Sequence, residues 1–152
     1  MELRNDFTIQ TLTELRQFAE KFLDETDRGK AFGLSGELGA GKTTFVRTVI
    51  ELICNRAQVP VPRVTSPTYV IQARYPQLIP CIEHFDLYRL ESVDRKVLTE
   101  IGYYESLEYV SEKNGILFVE WPEKASLPEN LGLSQILKFS VTDSGRLIRF
   151  GP

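Results

Sequence analysis

The chain has 152 residues, of which 42% are hydrophobic and 26% charged, values close to those of ordinary globular domains, so a single domain spanning 1–152 is expected. No apolar run approaches the roughly 18 residues of a membrane-spanning helix. A net charge of −3 argues against a broad basic face that binds nucleic acid through its phosphates, so any link to RNA is expected to run through a partner protein.

The opening "MELRNDFTIQTLTEL" carries acids early and lacks the apolar core of a signal peptide, which predicts a cytoplasmic protein. Cys54 and Cys81 are far apart and match no metal or redox spacing, and both are read as buried reduced thiols. Thr11-Leu12-Thr13-Glu14 has the form of a capping box, and Leu15, Phe18, Ala19, Phe22 and Leu23 recur at helical spacing behind it, predicting a helix from about 12 to 24. Asp27, Arg28 and Gly29 read as a turn into the short apolar strand "KAFGLSG". A glycine-rich loop follows. In "TTFVRTVIELIC" the residues Phe45, Val46, Val49, Ile50 and Ile53 then share one face of a second helix.

The segment 55–67, "NRAQVPVPRVTSP", holds three prolines and is read as a surface loop, because each proline removes a backbone donor. "TYVIQARYP" and "CIEHFDLY" have strand composition, joined by "QLIP" as a hairpin or as neighbouring strands. From Ser92 to about Glu112 the apolar spacing is helical, with Gly102 as a break. "GILFVEWP" is a continuous apolar run, as in a strand covered on both faces. "SQILKFSVTDSGRLIRF" reads as two strands around an Asp-Ser-Gly turn. The order of elements predicts an α/β fold of the P-loop NTPase type: a mostly parallel sheet with flanking helices and a C-terminal antiparallel strand pair.

Gly36 to Thr43 satisfies GxxxxGK[ST] at every fixed position and lies between a strand and an amphipathic helix. In such a loop, glycine lets the backbone approach a phosphate and consecutive amides point at the anion. This makes Gly39, Ala40, Gly41, Lys42, Thr43 and Thr44 the candidate nucleotide-binding residues. Lys42 would reach the β- and γ-phosphates and the Thr43 hydroxyl would bind Mg²⁺. Such a loop needs a second acidic contact. Glu120 ends the apolar strand 116–119, where an unpaired acid is costly, and is the candidate on the metal side, directly or through water. Asp86 ends "CIEHF" and is the candidate for orienting or deprotonating the attacking water. Lys42, Asp86 and Glu120 are thus the candidate catalytic set. Thr65 and Ser66 lie where P-loop switches place a hydroxyl, although a plain turn fits them equally well. His84, the one histidine, and Trp121 read as packing or hydrogen-bonded residues.

The segments "GELGAGKTT", "TSPTY", "HFDLYRL" and "VEWPEKA", in that order, resemble the TsaE family, formerly called YjeE, over roughly residues 8–150. The resemblance implies a P-loop ATPase that uses ATP and Mg²⁺. It would work with the TsaD and TsaB proteins, which transfer threonylcarbamoyl to adenosine 37 of tRNA, and meet tRNA only indirectly through them. It also implies that Thr43 and Glu120 bind magnesium, that Asp86 lies at the nucleotide, and that Thr11, the closest match to a threonine near the first helix, contacts it. The proline-rich segment 55–64 is longer than that family's pattern. A small-molecule kinase is the alternative, but no arginine-rich lid follows the core, and the NKxD base-reading segment of a GTPase is also missing. No residue stands out as an arginine finger, which predicts slow turnover by the isolated protein.

Overall fold

The computed structural model describes residues 6–64 and 71–151. The Thr65-Ser66-Pro67-Thr68 turn lies outside the described residues. A strand not anticipated from the sequence, β1 (Asp6–Ile9), precedes helix α1 (Leu12–Glu25). The capping box forms: Glu14 N donates to Thr11 Oγ1 at 3.1 Å, and the Glu14 carboxylate accepts from Gln10 N at 2.5 Å, one residue before the cap. Strand β2 (Lys30–Ser35) leads through the glycine loop into α2 (Lys42–Ala57). Helix α2 takes in the first three residues of the expected loop, Asn55 to Ala57. It ends where Gln58, at φ 55°, takes the left-handed cap and its N–H meets the carbonyls of Asn55 and Cys54.

Strands β3 (Gln72–Tyr75) and β4 (Ile82–Asp86) form the antiparallel hairpin that the sequence left open. The helical stretch divides at Gly102, φ 77°, into α3 (Arg95–Glu100), capped by Asp94, and α4 (Tyr103–Lys113). Strand β5 (Ile116–Glu120) is followed by short 3₁₀ turns at Pro122–Lys124 and Pro128–Leu131, then by β6 (Leu133–Val141) and β7 (Arg146–Gly151). No helix among the described residues is long and apolar enough to cross a membrane.

The seven strands form one mixed sheet in the order β1-β7-β6-β2-β5-β4-β3. Its centre, β6, β2, β5 and β4, is parallel, while β7 and β3 run antiparallel to their neighbours. The final antiparallel pair therefore joins the parallel core through β6.

Alternation along β5 builds the two layers. Ile116 and Phe118 face α1 and α2, whereas Leu117 and Val119 face the side of α3 and α4. The first layer is an aromatic stack in which Phe45 meets Phe18, Phe22, Phe118 and Phe139 at centroid distances of 5.4 to 5.8 Å. Burial of each such ring stabilises the fold by about 1.5–3 kcal/mol. The second layer centres on Tyr103, Phe85, Leu98 and Val119. By the same alternation Ile82, His84 and Asp86 share the β4 face toward α1 and α2, and Glu83 and Phe85 take the other.

Candidate active site

The glycine loop leaves the buried end of β2 and is tied to the neighbouring strand at once. At Gly36, φ 147°, a Cβ would run into the Phe139 carbonyl of β6, so only glycine fits there. At Gly41 a Cβ would meet no protein atom within 4 Å, and it is the φ of 107° that demands glycine. Gly41 caps α2, with Phe45 N donating to its carbonyl at 2.9 Å. Lys42, the first residue of α2, turns back over the loop. Its Nζ donates to the carbonyls of Gly36 and of Glu37, the latter at 2.9 Å, and lies 4.8 Å from the centroid of the Trp121 ring. Burial pushes the ammonium below the usual lysine range, while Glu120, Asp86 and Glu123 pull it back up.

The two acids meet as the strand ends predict. Asp86 and Glu120 are register partners on the adjacent parallel strands β4 and β5, at the carboxyl ends, and both are buried. Thr43 Oγ1, on the first turn of α2, lies 3.0 Å from both Glu120 carboxylate oxygens and donates to them. Glu120 Oε2 also lies 2.7 Å from His84 Nε2. Asp86 Oδ1 accepts from Tyr88 N at 2.9 Å, which fixes the turn out of β4. The chain leaves β5 through Trp121, which has φ 59°, an uncommon conformation for a bulky residue. Its N–H is held by the Leu34 carbonyl at 3.1 Å, and its ring stacks on Tyr88 with centroids 5.0 Å apart.

Lys42, Thr43, Asp86, Glu120 and Trp121 line a cavity of about 440 Å³. Lys42, Thr43, Asp86 and Glu120 are polar lining, whereas Ile9, Leu12, Leu15, Phe139 and Ile148 supply apolar wall. Gly39, Ala40, Gly41, Thr44 and Thr11 also line it, so the candidate catalytic, nucleotide and metal residues border one space, while Thr65 and Ser66 lie outside the described residues. The hydroxyl of Thr11 is already engaged as the cap of α1.

One residue, Arg146, and one contact, that of the hydrogen-bonded His84 with Glu120, escaped the sequence reading. Arg146, at the start of β7, lines the cavity and donates from Nη2 to the Gly39 carbonyl at 3.2 Å. No local pattern marks it, because its position depends on β7 folding back beside β1. His84 reaches Glu120 because it stands opposite Phe118 in register, two residues before Glu120 on the same face. Its spacing from Asp86 was visible, but the neighbouring strand was not.

The donor set suits a small hard cation better than a dedicated protein cage. Among the described residues no group of three or more His, Cys, Asp or Glu side chains is arranged to hold a metal. Thr43 and Glu120 offer a hydroxyl and a carboxylate side by side, the oxygen chemistry used by Mg²⁺ when water and substrate phosphates complete its shell.

A family model described as "Threonylcarbamoyl adenosine biosynthesis protein TsaE" matches residues 9–148. The tRNA threonylcarbamoyladenosine biosynthesis protein TsaE of Borreliella burgdorferi is 31% identical over 133 residues, which are 86% of this chain and 88% of that one. The protein of the same name from Haemophilus influenzae is 34% identical over 117 residues, 75% of this chain and 67% of that one. The crystal structure of Bacillus subtilis YdiB matches with a TM-score of 0.63 at 22% identity, covering 99% of this chain and 86% of that one, and so shares the fold. With nearly its whole length matched by the family model, this chain belongs to the TsaE family.

Proposed function

We propose that this protein is a Mg²⁺-dependent ATPase of the cytoplasm that serves the threonylcarbamoylation of adenosine 37 in tRNA by acting on the TsaD and TsaB proteins. It does not carry out the nucleoside chemistry itself. The observation that supports this reading best is the contact of the Thr43 hydroxyl with both oxygens of buried Glu120, in the cavity that Lys42 also lines. The amides of Gly39 to Thr44 bind the phosphates, with Lys42 as a point charge on the β- and γ-groups. Thr43 and Glu120 would hold magnesium, which would supply neutralisation of the phosphate charge. In this reading Asp86 orients the attacking water and takes its proton as the γ-phosphoryl group of ATP passes to water and ADP leaves. The only cationic side chains lining the cavity among the described residues are Lys42 and Arg146, and Arg146 is engaged by loop carbonyls, which fits slow turnover in isolation.

The test is phosphate release from ATP by the purified protein alone and with TsaD, TsaB and tRNA. Slow release alone, accelerated by TsaD and TsaB, is expected. Rapid release alone that the pair leaves unchanged would remove partner control, and transfer of phosphate to a small acceptor would favour a kinase.

A further inference from the structure

His84 is a wholly buried imidazole next to the acid assigned to the metal, and nothing in the roles above uses it. Its Nε2 lies 2.7 Å from Glu120 Oε2, while its Nδ1 is buried and has no hydrogen-bond partner among the described residues. A proton on Nδ1 would be an orphaned buried donor, so the ring carries its proton on Nε2 and donates it to the carboxylate. The arrangement offers no exit for a relayed proton, which sets aside a shuttle.

Among the described residues Glu120 receives only two side-chain donors, the Thr43 hydroxyl and His84. Thr43 has one proton and sits 3.0 Å from each oxygen, so it does not choose between them. His84 bonds Oε2 alone and by the shorter contact. We propose that His84 is a positioning residue: it fixes the Glu120 carboxylate through Oε2 and leaves Oε1 as the oxygen available to a cation beside Thr43. This inference rests on Glu120 being a metal ligand. Its chemistry is that of the outer hydrogen bonds that orient metal-binding carboxylates, whose loss costs about 10- to 100-fold in metal affinity.

The experiment measures Mn²⁺ affinity of the ADP complex by electron paramagnetic resonance, alongside the Mg²⁺ concentration giving half-maximal ATP turnover. His84→Leu, which keeps the bulk and removes the donor, should weaken both by about tenfold. Its ADP affinity in EDTA should stay as in the parent. His84→Gln, whose amide reaches toward the Nε2 position, should recover much of the loss, and the shorter His84→Asn should not. Unchanged Mn²⁺ affinity in a folded His84→Leu variant overturns the proposal, as does equal affinity in the Gln and Asn variants if the Leu variant does not fold. Glu120→Gln separates the two readings. If it weakens Mn²⁺ binding while His84→Leu does not, only the role of His84 falls; if neither matters, Glu120 is not a ligand.

Discussion

Glu83 and Glu120 are both buried carboxylates on the neighbouring strands β4 and β5, yet their surroundings differ in kind. Glu83 faces the α4 side, where Arg74 Nε donates to both its oxygens at 2.7 and 3.0 Å. Arg74 is itself steadied over the Tyr109 ring, 5.2 Å from its centroid. Glu120 faces the cavity, and among the described residues no lysine or arginine nitrogen bonds to it. Only a hydroxyl and an imidazole approach its oxygens. Burial alone therefore does not set the two acids apart. What distinguishes Glu120 is that its side-chain partners are a hydroxyl and an imidazole and that it borders the cavity.

Three substitutions sharpen or break this contrast. Lys42→Ala should have the largest effect, lowering turnover by about 10³-fold because it removes the charge nearest the phosphates. The fold should survive, since no buried carboxylate relies on Lys42 for a direct bond; near-parent ATP affinity in this variant would take the loop out of the mechanism. Glu120→Gln should lower Mg²⁺-dependent turnover by about 10²-fold and leave the melting temperature equal or higher, since it neutralises a buried acid that no cation bonds. Turnover intact with a large fall in melting temperature would make Glu120 structural, like Glu83.

Glu83→Gln should be the mildest. Turnover should not move, and stability should change by no more than about 1 kcal/mol, because half-exposed Arg74 is screened by water. Burial raises the Glu83 carboxyl above its ordinary 4.5 despite Arg74. A raised carboxyl contributes stability below its unfolded value, and that contribution is lost as pH climbs through the higher folded value. Urea titrations from pH 4 upward should show this decline in the parent and a flatter profile in Glu83→Gln; parallel profiles would remove Glu83 as its source.

The parts of the site that follow from local pattern were legible in the sequence: the loop from its glycine spacing, Glu120 and Asp86 from acids at the ends of apolar strands. Both strands do end at those acids, and they lie side by side. The two layers likewise followed from helical and continuous apolar runs. What stayed hidden depends on strand order. Strand β1 has only four residues and makes sense only beside β7, and β6 inserts between β7 and β2 without any local signal. Arg146 and the partner of His84 were missed for the same reason, since the two contacts join residues 107 and 36 positions apart along the chain.

The loop's attachment to the C-terminal hairpin has a consequence for synthesis on the ribosome. Gly36 packs on the Phe139 carbonyl, Gly39 accepts from Arg146, and β2 pairs with β6 along the edge opposite β5. A nascent chain that has emerged only as far as Glu120 already contains Lys42, Thr43, Asp86 and Glu120, yet one edge of its central strand is still unpaired. Strands β6 and β7, translated later, close that edge and brace the loop. A chain broken off early would carry the whole motif while lacking the rigidity that gives the motif its grip.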